Sequence, residues 1–154
     1  MAIRLTGLLS PERILLGLVA RGKADLLEAI GALAHRAVPA LSSQEVREVL
    51  GEREKLASTG IGDGIAVPHG KFADLDDLVA LLVTVRGGVD FDAIDGRPVD
   101  VVVALLAPAK AGDPLKALAK VSRFLRDPLV RKRLLGAPDP SAAFEVIRAQ
   151  EVAR

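Results

Sequence analysis

Two stretches, 78–85 and 99–107, are apolar almost throughout, while elsewhere polar and apolar positions are interleaved. The second, Val99-Asp100-Val101-Val102-Val103-Ala104-Leu105-Leu106, is continuous rather than alternating. A strand apolar on both faces belongs in the middle of a sheet covered by helices on both sides. Gly87-Gly88 follows the first run, and the turn signal Asp95-Gly96-Arg97-Pro98 precedes the second. Near the N-terminus, Leu5, Leu8 and Leu9 lead into Ser10-Pro11-Glu12, a helix or turn start. The run 14–19 fits a buried strand or a short helix, and strand is the better reading because Ala20-Arg21-Gly22-Lys23 closes it within a strand's length.

From Lys23 the period becomes helical. Leu26, Leu27, Ile30, Leu33, Ala34 and Ala37 share one face, Asp25 sits in the first turn, and Pro39 stops the helix near Val38. Ser42 or Ser43 caps a second helix, with Val46, Val49 and Leu50 inward and the charged Glu52-Arg53-Glu54-Lys55 near its end. Asp113-Pro114, Asp127-Pro128 and Asp139-Pro140 punctuate the C-terminal third. Aspartate caps first-turn N–H groups, and proline suits a first helical position because its missing donor would have no partner there. Three helices are expected, over 113–126, 127–135 and 139–150, with Gly136 stopping the second. Leu115, Leu118, Val121, Ser122 and Leu125 form a mainly apolar stripe on the first of these. No repeat or linker interrupts the pattern, so the expectation is one α/β domain over 1–154.

Composition narrows the chemistry. A net charge of +1 gives no reason to expect a nucleic-acid partner or a membrane surface, and no apolar stretch is long enough to span a bilayer. The absence of cysteine removes disulfides, thiol chemistry and cysteine-type zinc sites. Nothing near the N-terminus resembles a signal peptide, and the chain reads as cytoplasmic. With two histidines and no tyrosine or tryptophan, few residues can centre a mechanism.

The most distinctive stretch is Ser58-Thr59-Gly60-Ile61-Gly62-Asp63-Gly64-Ile65-Ala66-Val67-Pro68-His69-Gly70. Glycine at alternate positions suits a loop whose backbone N–H groups approach something closely. Pro68 fixes its own φ and biases Val67 towards an extended conformation, which holds the His69 imidazole at the end of a strand-like segment. A neutral imidazole can attack phosphorus through one ring nitrogen if the other carries the proton. The phosphoryl oxygens then need donors. The loop N–H groups of Gly60, Gly62 and Gly64, the hydroxyls of Ser58 and Thr59, and the guanidinium of Arg53 are the candidates. Read in isolation, a Pro-His pair more often caps a turn, and such a loop is more often a flexible turn; it lacks the Lys-Ser/Thr pair of a P-loop. His35 falls on the polar side of its helix and reads as a surface residue. Asp90, Asp92, Asp95 and Asp100 lack EF-hand spacing and read as turn and strand-end residues. Arg131-Lys132-Arg133 reads as a solvated basic face.

Taken together, Arg53-Glu54-Lys55, the segment from Ser58 to Lys71, and Phe91-Asp92-Ala93-Ile94-Asp95-Gly96-Arg97-Pro98-Val99-Asp100 closely resemble the IIA domains of the fructose/mannitol class of the bacterial phosphoenolpyruvate-dependent phosphotransferase system, nearest its nitrogen-regulatory branch. The resemblance covers nearly the whole chain. It implies a mixed β-sheet with helices on both faces and a phosphocarrier with a regulatory role. His69 would be the phosphoryl acceptor and Arg53 its charge partner, with no metal or organic cofactor at the site. The donor would be a histidine-phosphocarrier protein, and the target a IIB domain or a regulated transporter or kinase. The family has a second histidine at the start of a helix, in the setting His-Leu-x-x-Leu; here Pro114 precedes Leu115-x-x-Leu118, with Lys116 two positions on. Pro114 and Lys116 are therefore the candidates for the partner-facing position. The competing expectation is a non-catalytic regulatory binding module of the same fold, whose output is a protein contact independent of phosphorylation.

Overall fold

The computed structural model describes residues 4–110 and 114–153. Its axis is the second long apolar run, which forms β6 (Val99–Pro108). The first run, β5 (Val79–Val89), pairs with it antiparallel, with Val83 opposite Val102. β1 (Ile14–Leu18) lies parallel to β5 on the outer side. On the other side of β6, β3 (Ile65–Ala66) and then β4 (His69–Phe72) run parallel to it, end to end, and β2 (Gly60–Gly62) pairs antiparallel with β3. The result is a mixed six-stranded sheet of order β1-β5-β6-β3-β2, with β4 beside β6 off that path.

Helices cover both faces, as the continuous apolar runs require. Leu81, Val83, Ala104 and Leu106 point to α1 (Lys23–Ala37) and α2 (Ser43–Leu56), where they meet Leu26, Ile30 and Leu50. Ala80, Leu82, Val103 and Leu105 point the other way. They pack with residues of α3 (Leu115–Leu125), α4 (Pro128–Leu135) and α5 (Pro140–Ala153), among them Val121, Leu125, Leu134 and Ile147. Each such aliphatic side chain contributes roughly 1.5–3 kcal/mol by leaving water, so the two clusters together set the sheet's position between the layers.

The caps follow the sequence. Ser42 Oγ accepts from the Glu45 N–H at 3.0 Å. Asp127 accepts from Leu129 N at 2.9 Å and Asp139 from Ala142 N at 2.8 Å. Gly136 ends α4. His35 is exposed, its Nδ1 bonded to the Leu41 carbonyl at 2.8 Å.

Three expectations change. β5 does not stop before Gly87-Gly88 but runs through them, both at positive φ, with a register shift between Thr84 and Val89; glycine tolerates the bulge that a strand of larger residues would resist. The helix expected from 113 begins at Leu115, with Pro114 as its N-cap residue and no side-chain cap; Asp113 lies outside the described residues. Arg131 is not part of a solvated face. It is half-buried and forks onto Asp100 through Nε (3.0 Å) and Nη2 (2.6 Å), whereas Lys132 and Arg133 are exposed.

α1 and α2 approach closely at Gly31, where a Cβ would lie 2.5 Å from the Ser43 carbonyl oxygen. Backbone cannot swing aside as a side chain can. Gly31→Ala should therefore destabilise the fold by about 1–3 kcal/mol despite alanine's better helix propensity. A denaturant midpoint equal to or above wild type would contradict this packing.

Candidate functional site

The glycine stretch is a hairpin. Asp63 (φ 58°) and Gly64 (φ 79°) occupy its two central positions, between Gly62 and Ile65. Two successive positive φ values mark a primed turn, whose twist matches the flanking strands, and Asp-Gly is among its preferred pairs. That dipeptide was the available signal for a hairpin where a loop is expected from the glycines alone.

The Phe-Asp-Ala-Ile-Asp segment lies along the outside of β2, so the two motifs form one unit. Ser58 Oγ donates to the Phe91 carbonyl at 2.7 Å, and Ile94 N donates to the Gly60 carbonyl at 3.2 Å. The Asp95 carboxylate accepts from Asp63 N at 3.0 Å. Those N–H donors, Asp63 first and then Arg97, hold the Asp95 carboxyl below the usual carboxylate range. Gly60 is required by this contact, since a Cβ there would lie 2.8 Å from Ala93 Cα.

Beyond the hairpin the chain reaches Val67 and Pro68, both buried, and emerges at His69, half-buried at the start of β4 opposite Leu105. His69 Nδ1 lies 3.0 Å from the Val67 carbonyl oxygen. A carbonyl only accepts, so Nδ1 carries the proton in this bond and Nε2 keeps its lone pair. The next residue along packs tightly too: a Cβ at Gly70 would lie 2.5 Å from Val49 Cγ1 of α2.

Arg53, in the last turn of α2, donates from Nη1 to the Ala57 carbonyl at 2.9 Å. Val67 N bonds to the Thr59 carbonyl, which extends the pairing of β2 with β3 by one residue. The guanidinium is thus tied to the segment that joins α2 to β2. No carboxylate bonds to it among the described residues.

The other expected donors are placed differently. The Ser58 hydroxyl is committed to Phe91 and also accepts from Gly60 N. The Thr59 hydroxyl, buried, donates to Glu54. Gly62 and Gly64 belong to the far end of the hairpin: Ile65 pairs with Val101 and His69 with Leu105, four residues along β6, roughly 13 Å at the usual strand rise. The structure therefore does not bring those two glycines to His69. Pro114 is half-buried and Lys116 exposed at the start of α3.

Glu54 is the residue that sequence reasoning passed over. It is buried, although it sits among four consecutive charged residues. Its Oε2 takes Lys23 Nζ at 2.8 Å, and its Oε1 takes Thr59 N at 2.8 Å together with the Thr59 hydroxyl. Lys23 also reaches Asp92 at 3.1 Å and lies 4.7 Å above the Phe91 ring. Burial works against the Lys23 charge, but the bonds to Glu54 and Asp92 outweigh it and raise its pKa. Glu54 thus joins the end of α2 to α1 and to the residue before β2, and Lys23 carries the link on to Phe91 and Asp92.

Comparison with known proteins agrees with this architecture. Residues 7–150 match the family described as phosphoenolpyruvate-dependent sugar phosphotransferase system, EIIA 2. A nitrogen regulatory protein of Bradyrhizobium diazoefficiens is 40% identical over 144 residues, which span 93% of this chain and 94% of that one. The crystal structure of the nitrogen regulatory protein IIA-Ntr from Neisseria meningitidis superposes with a TM-score of 0.84 at 33% identity, covering 93% of this chain and 98% of that one. The fold also matches the mannitol IIA of Escherichia coli in its complex with phosphorylated IIB, with a TM-score of 0.75 at 21% identity over 92% and 97% of the two chains. Among the described residues, no helix is long and apolar enough to cross a membrane.

Proposed function

We propose, because this chain belongs to the EIIA 2 family of the phosphoenolpyruvate-dependent sugar phosphotransferase system, that it is a phosphocarrier which accepts a phosphoryl group on His69 from a histidine-phosphocarrier protein and serves in nitrogen-type regulation. The observation that carries this reading is the bond from His69 Nδ1 to the Val67 carbonyl, which leaves Nε2 as the nucleophile. In the transfer, Nε2 forms a bond to phosphorus as the donor's N–P bond breaks, and that bond's electron pair returns to the donor imidazole. The Nδ1 proton stays where it is. Charge on the three transferring oxygens is met by the Arg53 guanidinium, because phosphoryl transfer is mostly positioning and electrostatic stabilisation. The regulatory role rests on the similarity to nitrogen regulatory proteins, and the candidate targets are a IIB domain or a regulated transporter or kinase.

Incubation with phosphoenolpyruvate, the system's first enzyme and its carrier protein should add one phosphoryl group to the intact mass. The adduct should be acid-labile, base-stable and missing from His69→Ala. A base-labile adduct, or one that survives in His69→Ala, would remove His69 from the mechanism.

Pro114 favours a second reading, a binding module whose contacts do not depend on phosphorylation. Where the family resemblance sets a histidine, proline has no side-chain donor and does not titrate. On the phosphocarrier reading, the same proline makes uptake by His69 ready and onward transfer slow, as suits a sensor whose phosphorylated fraction is read by a binding partner. Pro114→His should speed transfer to a IIB domain without changing uptake from the carrier. Fast onward transfer by wild type, unchanged by the substitution, would end the argument from this position.

A further inference from the structure

At the end of the sheet away from His69, beside the first residues of β6, a cleft of about 470 Å³ opens between the Asp63-Gly64 turn, the Gly87-Gly88 bulge and the junction of α3 with α4. Its volume falls in the range of small-molecule sites. Three arginines from separate elements line it: Arg97 before β6, Arg126 at the C-cap of α3, and Arg131 in α4. Two acids line it as well, Asp63 and Asp100.

These charges do not cancel. Asp100 is consumed by Arg131, whose Nε and Nη2 both bond to it, and this fork fixes the guanidinium while leaving Nη1 without a bonded partner among the described residues. The fork lies against the hairpin turn, where only glycine fits: a Cβ on Gly64 would come within 2.8 Å of Arg131 Nε and of Asp100 Oδ1. Arg97 and Arg126 are exposed, and neither side chain bonds to a carboxylate among the described residues; Asp95, the acid nearest Arg97 in sequence, is bound to backbone N–H groups. On the other side of the cleft the side-chain direction of Gly87 is open, with no atom within 4 Å of where a Cβ would be. Among the described residues, the cleft is thus lined by two arginines with no carboxylate bonded to them, a third held by Asp100, and one carboxylate, Asp63, with no bonded cation.

Guanidinium groups recognise phosphate and carboxylate in preference to neutral ligands. Asp63 adds an acceptor for a hydroxyl or amino group. Among the described residues no aromatic ring lines the cleft, which disfavours a stacked nucleobase. We propose that this cleft is a second binding site, for a small anionic metabolite that carries a phosphate or carboxylate at one end and a hydroxyl or amino donor at the other. The proposal is independent of any chemistry at His69.

The test is a two-dimensional amide NMR titration of the full chain, at fixed ionic strength, with ribose 5-phosphate, glutamate and inorganic phosphate. Constant ionic strength matters because nonspecific attraction to arginines is screened by salt. Saturable shifts at the Gly64, Gly87 and Gly88 amides with ribose 5-phosphate or glutamate are expected. They should weaken at least tenfold in the double variant Arg97→Gln/Arg126→Gln, while melting temperature and His69 phosphorylation stay at wild-type values. A stronger response to ribose 5-phosphate than to glutamate would assign the anion as phosphate, and the reverse as carboxylate. The proposal fails if none of the three probes gives a saturable shift there, if inorganic phosphate alone binds as well as either metabolite, if the shifts survive the double variant, or if they appear only around His69.

Discussion

Arg53→Ala should lower the rate of phosphoryl uptake by roughly 10²–10³ while leaving the melting temperature close to wild type. The two halves of this expectation have separate causes. The guanidinium bonds to one carbonyl, that of Ala57, and to no carboxylate among the described residues, so its removal takes little from the fold. What is lost, on the proposed mechanism, is a planar donor for a phosphoryl group bearing three charged oxygens. Arg53→Lys should recover only part of the rate, because an ammonium keeps the charge without the two-point fork. Stopped-time phosphorylation assays at saturating carrier protein, read beside thermal melts, separate rate from stability. Uptake at the wild-type rate by Arg53→Ala would make Arg53 a helix-end charge and nothing more.

The second large effect is expected at Glu54. Glu54→Ala leaves Lys23 without its shorter ion pair and strips both the Thr59 N–H and the Thr59 hydroxyl of their acceptor in a buried setting. Removing one partner of a buried pair costs about 3–5 kcal/mol. The lower end applies here because Lys23 keeps 23% of its side-chain surface and still has Asp92. For a chain of this length a loss of about 3 kcal/mol lowers the melting temperature by roughly 6–12 °C. The raised pKa of Lys23 fixes the sign of the pH dependence: this contribution is complete below lysine's ordinary value, near ~10.4, and disappears as pH rises through the folded-state value. Wild type should therefore lose stability more steeply than Glu54→Ala in that alkaline range. Equal melting temperatures at neutral pH would show that the cluster contributes nothing.

The frame of the molecule was legible because its signals are local or periodic. Continuous apolar runs announced β5 and β6 as central strands, and Asp-Pro pairs marked the starts of α4 and α5. Conformations that depend on glycine were harder: the same residue that ends most strands lets β5 continue through Gly87-Gly88. The candidate site was legible in part. The extended approach to His69 followed from Pro68, although His69 opens β4 rather than closing a strand; the commitment of the Ser58 and Thr59 hydroxyls depends on Phe91 and Glu54, which no local pattern connects to them. Glu54 did leave a trace. Val46, Leu50 and Glu54 recur every fourth residue, so the carboxylate falls on the buried face of α2. Its partner Lys23 lies 31 residues upstream, a distance that only the folded chain closes.

The bond that orients His69 comes from the Val67 backbone, not from its side chain. Replacing Val67 changes packing in the core beneath it but cannot delete the carbonyl. An alanine scan would score this position as a stability residue, and the feature that sets which imidazole nitrogen is free would leave no mark in the scan. Chemistry written into the main chain in this way is invisible to ordinary mutagenesis. Exposing it takes a change of backbone atom, such as an amide-to-ester replacement or an altered peptide geometry at Pro68.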